Sequence, residues 1–175
     1  MRMPSAAAKK NPDRGNDSMA QTYNFRKIRA DDRERYFAMC RDFYSGDAVL
    51  HPVPEEYFAA AFDELMRSDT YLVCYIFESS ADGAAPETVG YALLARTFSQ
   101  EAGGAVVWLD ELYVVPEHRS EGIGHRFFDY MRDHIVPRVS RVRLEVDDKN
   151  PRARMLYERE GFSPFGYDQM VIECP

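Results

Sequence analysis

At 175 residues, 45% of them apolar and 29% charged, the chain has the length and composition of one ordinary folded domain, which excludes a disordered or fibrous protein. A net charge of −7 argues against a general nucleic-acid binder, which carries a basic face, and mildly favours a cationic or amine-bearing partner. No apolar stretch approaches membrane-spanning length. The three cysteines, Cys40, Cys74 and Cys174, lack metal-type spacing and suit a reducing, cytoplasmic setting, with Cys74 a small buried hydrophobe.

Residues 1–20 mix Lys, Asn, Pro, Asp, Gly and Ser without the apolar core of a signal peptide. They read as a disordered tail, an upstream start or an expression remnant, leaving a single domain over 21–175. Tyr23 to Ile28 alternates as a first strand. Asp31 and Asp32 open a helix whose apolar stripe is Tyr36, Phe37, Met39, Cys40 and Phe43, broken at Ser45-Gly46-Asp47. Glu55-Glu56 begins a second helix to Met66, with Phe58, Phe62 and Leu65 on one side. Thr70 to Phe77 is apolar and β-prone, so it predicts a central strand, and Thr88 to Arg96 and Ala105 to Val115 follow as strands. Gly122 to Ile135 has helical periodicity, with Ile123, Phe127, Met131 and Ile135 on one face. Arg141 to Val146 alternates as a strand, and Asn150-Pro151 caps a short helix that Gly161-Phe162 stops. Tyr167 to Glu173 predicts a last strand. The order β-α-α-β-β-β-α-β-α-β implies an α/β (α+β) three-layer αβα fold, its mixed central sheet covered by helices on both faces.

Val114 to Gly124 is a strand running into a glycine-bearing loop and then a helix. The free N–H groups of a helix start form an anion site, and Gly122 and Gly124 allow a phosphate to approach the main chain. Glu117 and Glu121 oppose Arg119, so phosphate would be held mainly by amides, helped by Arg119. A dinucleotide-binding fold fails as a reading, because position 127 is Phe where a third Gly is needed and the loop comes late in the chain.

Arg119, Gly122 and Gly124 also match the Gln/Arg-x-x-Gly-x-Gly/Ala motif of the GCN5-related N-acetyltransferase (GNAT) superfamily, which the sequence resembles over nearly everything after Tyr23. The strand Leu109 to Val114 and the segment Asn150 to Phe162 are similar to the family as well, as is the order of elements. The resemblance implies a transfer of acetyl from acetyl-CoA to a primary amine in a ternary complex, with no metal. Main-chain groups of Leu112, Tyr113 and Val114 would hold the pantetheine arm, and the amides of Arg119, Ser120, Glu121, Gly122, Ile123 and Gly124 the pyrophosphate. Asn150 would bond the pantetheine region, or else serve only as a helix cap.

Tyr157 would protonate the leaving thiolate, a phenol of pKa about 10 being protonated at neutral pH, or else anchor its helix as an aromatic. Glu111 would take the amine's proton, directly or through water, or else merely pair with a cation. Simple alternation puts Leu109, Glu111 and Tyr113 on one face of the sheet, with Asp110 and Leu112 on the other. The acceptor pocket would lie near Tyr44, Asp47 and His51, while the spacing of His118, His125 and His134 resembles no metal site. A module that holds acyl-CoA without catalysis is the competing reading. No nucleic-acid or membrane partner is expected, and an exposed final strand could pair two copies into a homodimer.

Overall fold

The computed structural model describes residues 21–46, 53–81 and 84–172 of the chain. Strand β1 (Thr22–Lys27) runs antiparallel to β2 (Leu72–Ser80), β2 to β3 (Glu87–Ser99), and β3 to β4 (Gly104–Val114). β4 then pairs in parallel with β5 (Arg141–Leu144), which completes a sheet of order β1-β2-β3-β4-β5. Helices α1 (Arg33–Tyr44) and α2 (Glu55–Arg67) separate β1 from β2. The parallel pair needs a crossover, supplied by α3 (Ile123–His134), and α4 (Pro151–Arg159) follows β5. The mixed sheet with helices on both faces is as the sequence predicts.

Cross-strand partners share a face of the sheet, so the register sorts the core into two layers. Cys74, Ile76, Tyr91 and Leu93 face α1 and α2, where Tyr36 meets Tyr91 edge-on with ring centroids 5.1 Å apart. Tyr75, Phe77 and Phe25 face α3, where Phe127 lies 4.8 Å from Phe77 and 5.4 Å from Phe25. The predicted stripes of α1, α2 and α3 are the buried ones, except that Phe43 at the end of α1 is half-buried, because burial of an apolar face is what fixes each helix to the sheet. The start of α1 is pinned electrostatically. The Arg26 guanidinium grips both oxygens of Asp32 at 2.7 and 2.8 Å and reaches Glu78 at 2.6 Å, and Asp32 also accepts the Arg29 N–H at 2.7 Å.

Two expectations need correction. The predicted last strand does not form over its described part, Tyr167–Ile172, where the chain is irregular and Met170 is 98% exposed. Alternation alone does not make a strand; a ladder partner must be present, and none of the described strands provides one. Instead the guanidinium of Arg143 lies 4.2 Å from the ring of Phe165, just before the segment, and Gln169 within it donates to Glu145 just after β5.

The second correction concerns the two faces of β4. Leu93 pairs with Glu111 but Leu94 pairs with Leu109, so Asp110 is an extra residue in the strand. This β-bulge puts Leu109 on the face opposite Glu111 and Tyr113, against the simple alternation.

Candidate active site

β4 and β5 stay paired only from Val106–Arg141 to Leu109–Leu144, while β4 continues against β3 to Val114. The strands therefore part just after the bulge at Asp110, and the β5-facing peptide groups of the last β4 residues have no ladder partner. α4 lies across the gap. The result is a cleft of about 610 Å³ walled by Leu112, Tyr113 and Val114, by the loop after β4, and by Asn150, Ala153, Leu156 and Tyr157. The Val114 carbonyl is already occupied, since it accepts from Arg119 Nε at 2.9 Å. The Leu112 peptide groups and the Val114 N–H supply the remaining edge, since the bond from the Val115 N–H to Val89 turns the Tyr113 groups toward β3.

The loop is shaped by two left-handed residues, Ser120 at φ 75° and Gly122 at φ 78°. A side chain at Gly122 would meet no atom within 4 Å, so the cost of substitution there is conformational. Gly124 has a different reason to be glycine. A Cβ there would sit 3.2 Å from Leu156 Cδ2, so its absence lets α3 and α4 pack closely. The side chains of the loop turn aside. Arg119 lies on the Val114 carbonyl, its guanidinium 5.6 Å from the Tyr113 ring. Glu121 accepts from the Tyr23 hydroxyl at 2.8 Å and contacts His118 Nδ1 at 2.9 Å, and it is not among the residues lining the cleft.

The main chain of Ser120, Gly122, Ile123 and Gly124 is thus left facing the cleft without the loop's own acid. Lys149 and Arg159 line the cleft, and Arg152 of α4 brings a further cation to the loop, its Nη2 donating to Ser120 Oγ at 2.9 Å. Nothing in the local sequence pattern signals this pair. If the loop holds the acetyl-CoA that the sequence resemblance implies by its amides rather than by side-chain charge, Gly122→Leu should raise the KM for it roughly tenfold, as expected for 1–2 kcal/mol of left-handed strain, and more than Arg119→Ala does. Steady-state kinetics with both variants checks this, and equal or reversed effects would show side-chain charge to be the larger contribution.

Tyr157 lines the cleft with its ring edge-on to Phe128 and Phe162, at centroid distances of 6.0 and 6.1 Å. Burial pushes its phenol above the usual value, so it stays protonated at neutral pH. Its hydroxyl makes no hydrogen bond among the described residues. Asn150 caps α4, its Oδ1 accepting the Ala153 N–H at 3.1 Å, and it also lines the cleft. Asp47 and His51 lie outside the described residues.

Glu111 sits apart from the cleft lining, 6% exposed, on the face toward α1. Its Oε1 accepts from the Tyr44 hydroxyl at 2.6 Å and its Oε2 from the Tyr91 hydroxyl at 2.5 Å. Burial raises its pKa above the ordinary carboxyl value; the two hydroxyls pull it partly back, and Asp110 adds to the rise. A carboxyl whose folded pKa is raised contributes stability that is full below its unfolded value, about 4.3, and is lost as pH climbs through the folded value. Glu111→Gln should therefore gain in Tm relative to the parent as pH rises from 4 to 8. A Tm difference that does not change across that range would contradict the raised pKa.

His118 and His125 serve carboxylates rather than a metal, with His125 Nδ1 at 2.6 Å from Glu160. Arg132 joins the same Glu160 at 2.8 Å, tying α3 to the end of α4. Among the described residues no group of three or more His, Cys, Asp or Glu could hold a metal ion.

Residues 31–162 match the pattern of the "Acetyltransferase (GNAT) family". The chain belongs to that family. Its relatives include the "Thialysine N-epsilon-acetyltransferase" of Bos taurus, 31% identical over 57% of this chain but only 63% of the bovine protein. The mouse protein of the same name is 26% identical over 86% of this chain and 94% of its own length. Among solved structures, a possible acetyltransferase from Clostridium difficile 630 superposes with a TM-score of 0.72 at 18% identity, covering 87% of this chain and 98% of that one. An aminoglycoside N-acetyltransferase solved in complex with CoA gives 0.66 at 16% identity, over 89% of this chain and 97% of its own. These structural likenesses concern the fold. No described helix of this family member is long and apolar enough to cross a membrane.

Proposed function

We propose that the protein transfers the acetyl group of acetyl-CoA to a primary amine by direct attack in a ternary complex. One observation carries this reading: the unpaired edge of β4, the amide-lined loop and Tyr157 open onto a single cleft. When bound, acetyl-CoA supplies an acetyl group activated as a thioester. The peptide groups of Leu112 and the Val114 N–H bind the amide-rich arm as an added strand would be bound. The amides around Ser120 to Gly124 hold the pyrophosphate at the start of α3, with Arg152 beside them. Leu112 and Leu156 exclude water from the narrow part of the cleft. The Tyr157 hydroxyl donates its proton to the departing sulfur. Glu111 takes the proton that the ammonium must lose before it can attack. Asn150 orders the first turn of α4 and so the placement of Tyr157.

The acceptor we favour is a small amine-bearing molecule. The net charge of −7 suits a cationic acceptor, and the bovine and mouse relatives are named for acetylating the ε-amine of thialysine. The test is release of free thiol from acetyl-CoA over a panel of thialysine, lysine, polyamines, aminoglycosides and peptide amines. Turnover with a small amine is the expected result. The seclusion of Glu111 from the cleft favours a second reading, a module that binds acyl-CoA without catalysis. CoA binding without thiol release from any amine would select that reading.

A further inference from the structure

Among the described residues, Glu111 is a buried carboxylate with no cation beside it. The ionisable groups that face it are Tyr36, Cys40 and Tyr44 on α1, Cys74 on β2, Tyr91 on β3 and Asp110 on its own strand. None is basic, and Glu111 forms no ion pair among the described residues. A charge held in the interior by two phenols alone is costly, and such arrangements persist where a site uses them. Its two partners are not equivalent. Tyr91 is 0% exposed and enclosed by the rings of Tyr36 and Tyr113, at 5.1 and 5.8 Å, so its side of the carboxylate leads only into the core. Tyr44 is the last residue of α1 and half-buried, stacked on Phe58 at 5.3 Å. It stands where the chain leaves the helix, between Phe43 and Gly46, which line the cleft.

The geometry points to the Tyr44 hydroxyl as the group that touches the acceptor amine and relays its proton to Glu111, with Tyr91 a positioning residue that holds the far oxygen. The relay rests on the acetyl-transfer reading. As one N–H bond of the ammonium breaks, its proton joins Tyr44 Oη. The hydroxyl's own proton meanwhile passes across 2.6 Å to Glu111 Oε1. The amine is left neutral with its lone pair free, Glu111 becomes a neutral acid, and Tyr44 is a neutral phenol before and after. Burial and the neighbouring carboxylate hold the Tyr44 phenol above its usual pKa, so no phenolate forms and the two transfers are concerted. The bond from Tyr91 to Oε2 keeps Oε1 turned toward Tyr44.

The test is the pH profile of kcat/KM for the full chain and for Tyr44→Phe, Glu111→Gln, their double variant and Tyr91→Phe. The acceptor is whichever amine of the panel turns over best, and CoA affinity by calorimetry checks that each variant is folded. Tyr44→Phe should lose about 10²-fold in kcat/KM at pH 7, and recover toward the parent as pH nears the amine's own pKa of about 10. The double variant should be no worse than the poorer single one. In Tyr91→Phe, removing a bond that favours the charged carboxylate should move the acid limb to higher pH. A Tyr44→Phe loss that is the same at every pH, or no loss, overturns the relay while leaving acetyl transfer standing. An unmoved acid limb in Tyr91→Phe overturns the positioning role. Thiol release from no amine by the parent protein overturns the acetyl-transfer reading and the relay with it.

Discussion

Tyr157→Phe should lower kcat about 10²-fold at neutral pH and leave the affinity for acetyl-CoA unchanged. The substitution is clean because the ring does the packing and the hydroxyl does not. Phe128 and Phe162 contact the ring edge-on, and both contacts survive in phenylalanine. The hydroxyl makes no hydrogen bond among the described residues, so its removal strands no buried partner. Thermal stability should therefore change by less than about 0.5 kcal/mol, and any loss of rate reports on chemistry. Burial raises the phenol's pKa, which keeps the hydroxyl protonated at neutral pH and able to donate to the departing sulfur as negative charge develops there. Stopped-flow thiol release with the best acceptor measures the effect. A kcat within about threefold of the parent would remove Tyr157 from the proton inventory, since general acids contribute at least tens-fold.

Gly90→Ala should be strongly destabilising. A Cβ at this position would lie 2.4 Å from the Tyr113 carbonyl oxygen, 2.9 Å from Phe77 Cδ2 and 3.2 Å from Val114 Cα. Two of those three atoms belong to the backbone of β4, so no rotamer change relieves the clash. The β3–β4 pair must shift, at a cost of about 3 kcal/mol. For a chain of this size that amounts to a fall in Tm of roughly 10 °C. The damage should reach function, because Tyr113 and Val114 form a wall of the cleft. The KM for acetyl-CoA should rise in whatever fraction remains folded. Differential scanning fluorimetry decides it, and a Tm within about 2 °C of the parent would mean the strands accommodate the methyl.

Much of the site was legible before the fold was known. The loop Arg119 to Gly124, the cap Asn150 and the aromatic Tyr157 lie on short sequence patterns that local physics constrains, and all of them but Glu121 line one cleft. The element order was legible for the same reason, since each stripe such as Phe58, Phe62 and Leu65 repeats at the period of its own backbone. The last strand was not legible, because alternation in Tyr167 to Ile172 states a preference and pairing requires a neighbour. Nor was the face of Glu111 relative to Leu109. A single bulge residue, Asp110, shifts the count by one, and its presence depends on register against β3.

The loop before α3 shows the division most plainly. Sequence by itself determined that glycines flank a helix start there, the arrangement from which an anion site of unpaired amides is expected. It also determined that Arg119 and Glu121 carry opposing charges. Only the tertiary structure decided where those charges go: Arg119 onto the Val114 carbonyl, Glu121 onto Tyr23 and His118, and Arg152 in from α4. Likewise, tertiary packing alone made Gly124 a point of helix contact with Leu156 and enclosed Glu111 between Tyr44 and Tyr91. Backbone conformation is set by neighbours in the chain, so it can be read locally. Side-chain partners are set by residues distant in sequence, and their identity follows only once packing brings them within hydrogen-bond reach.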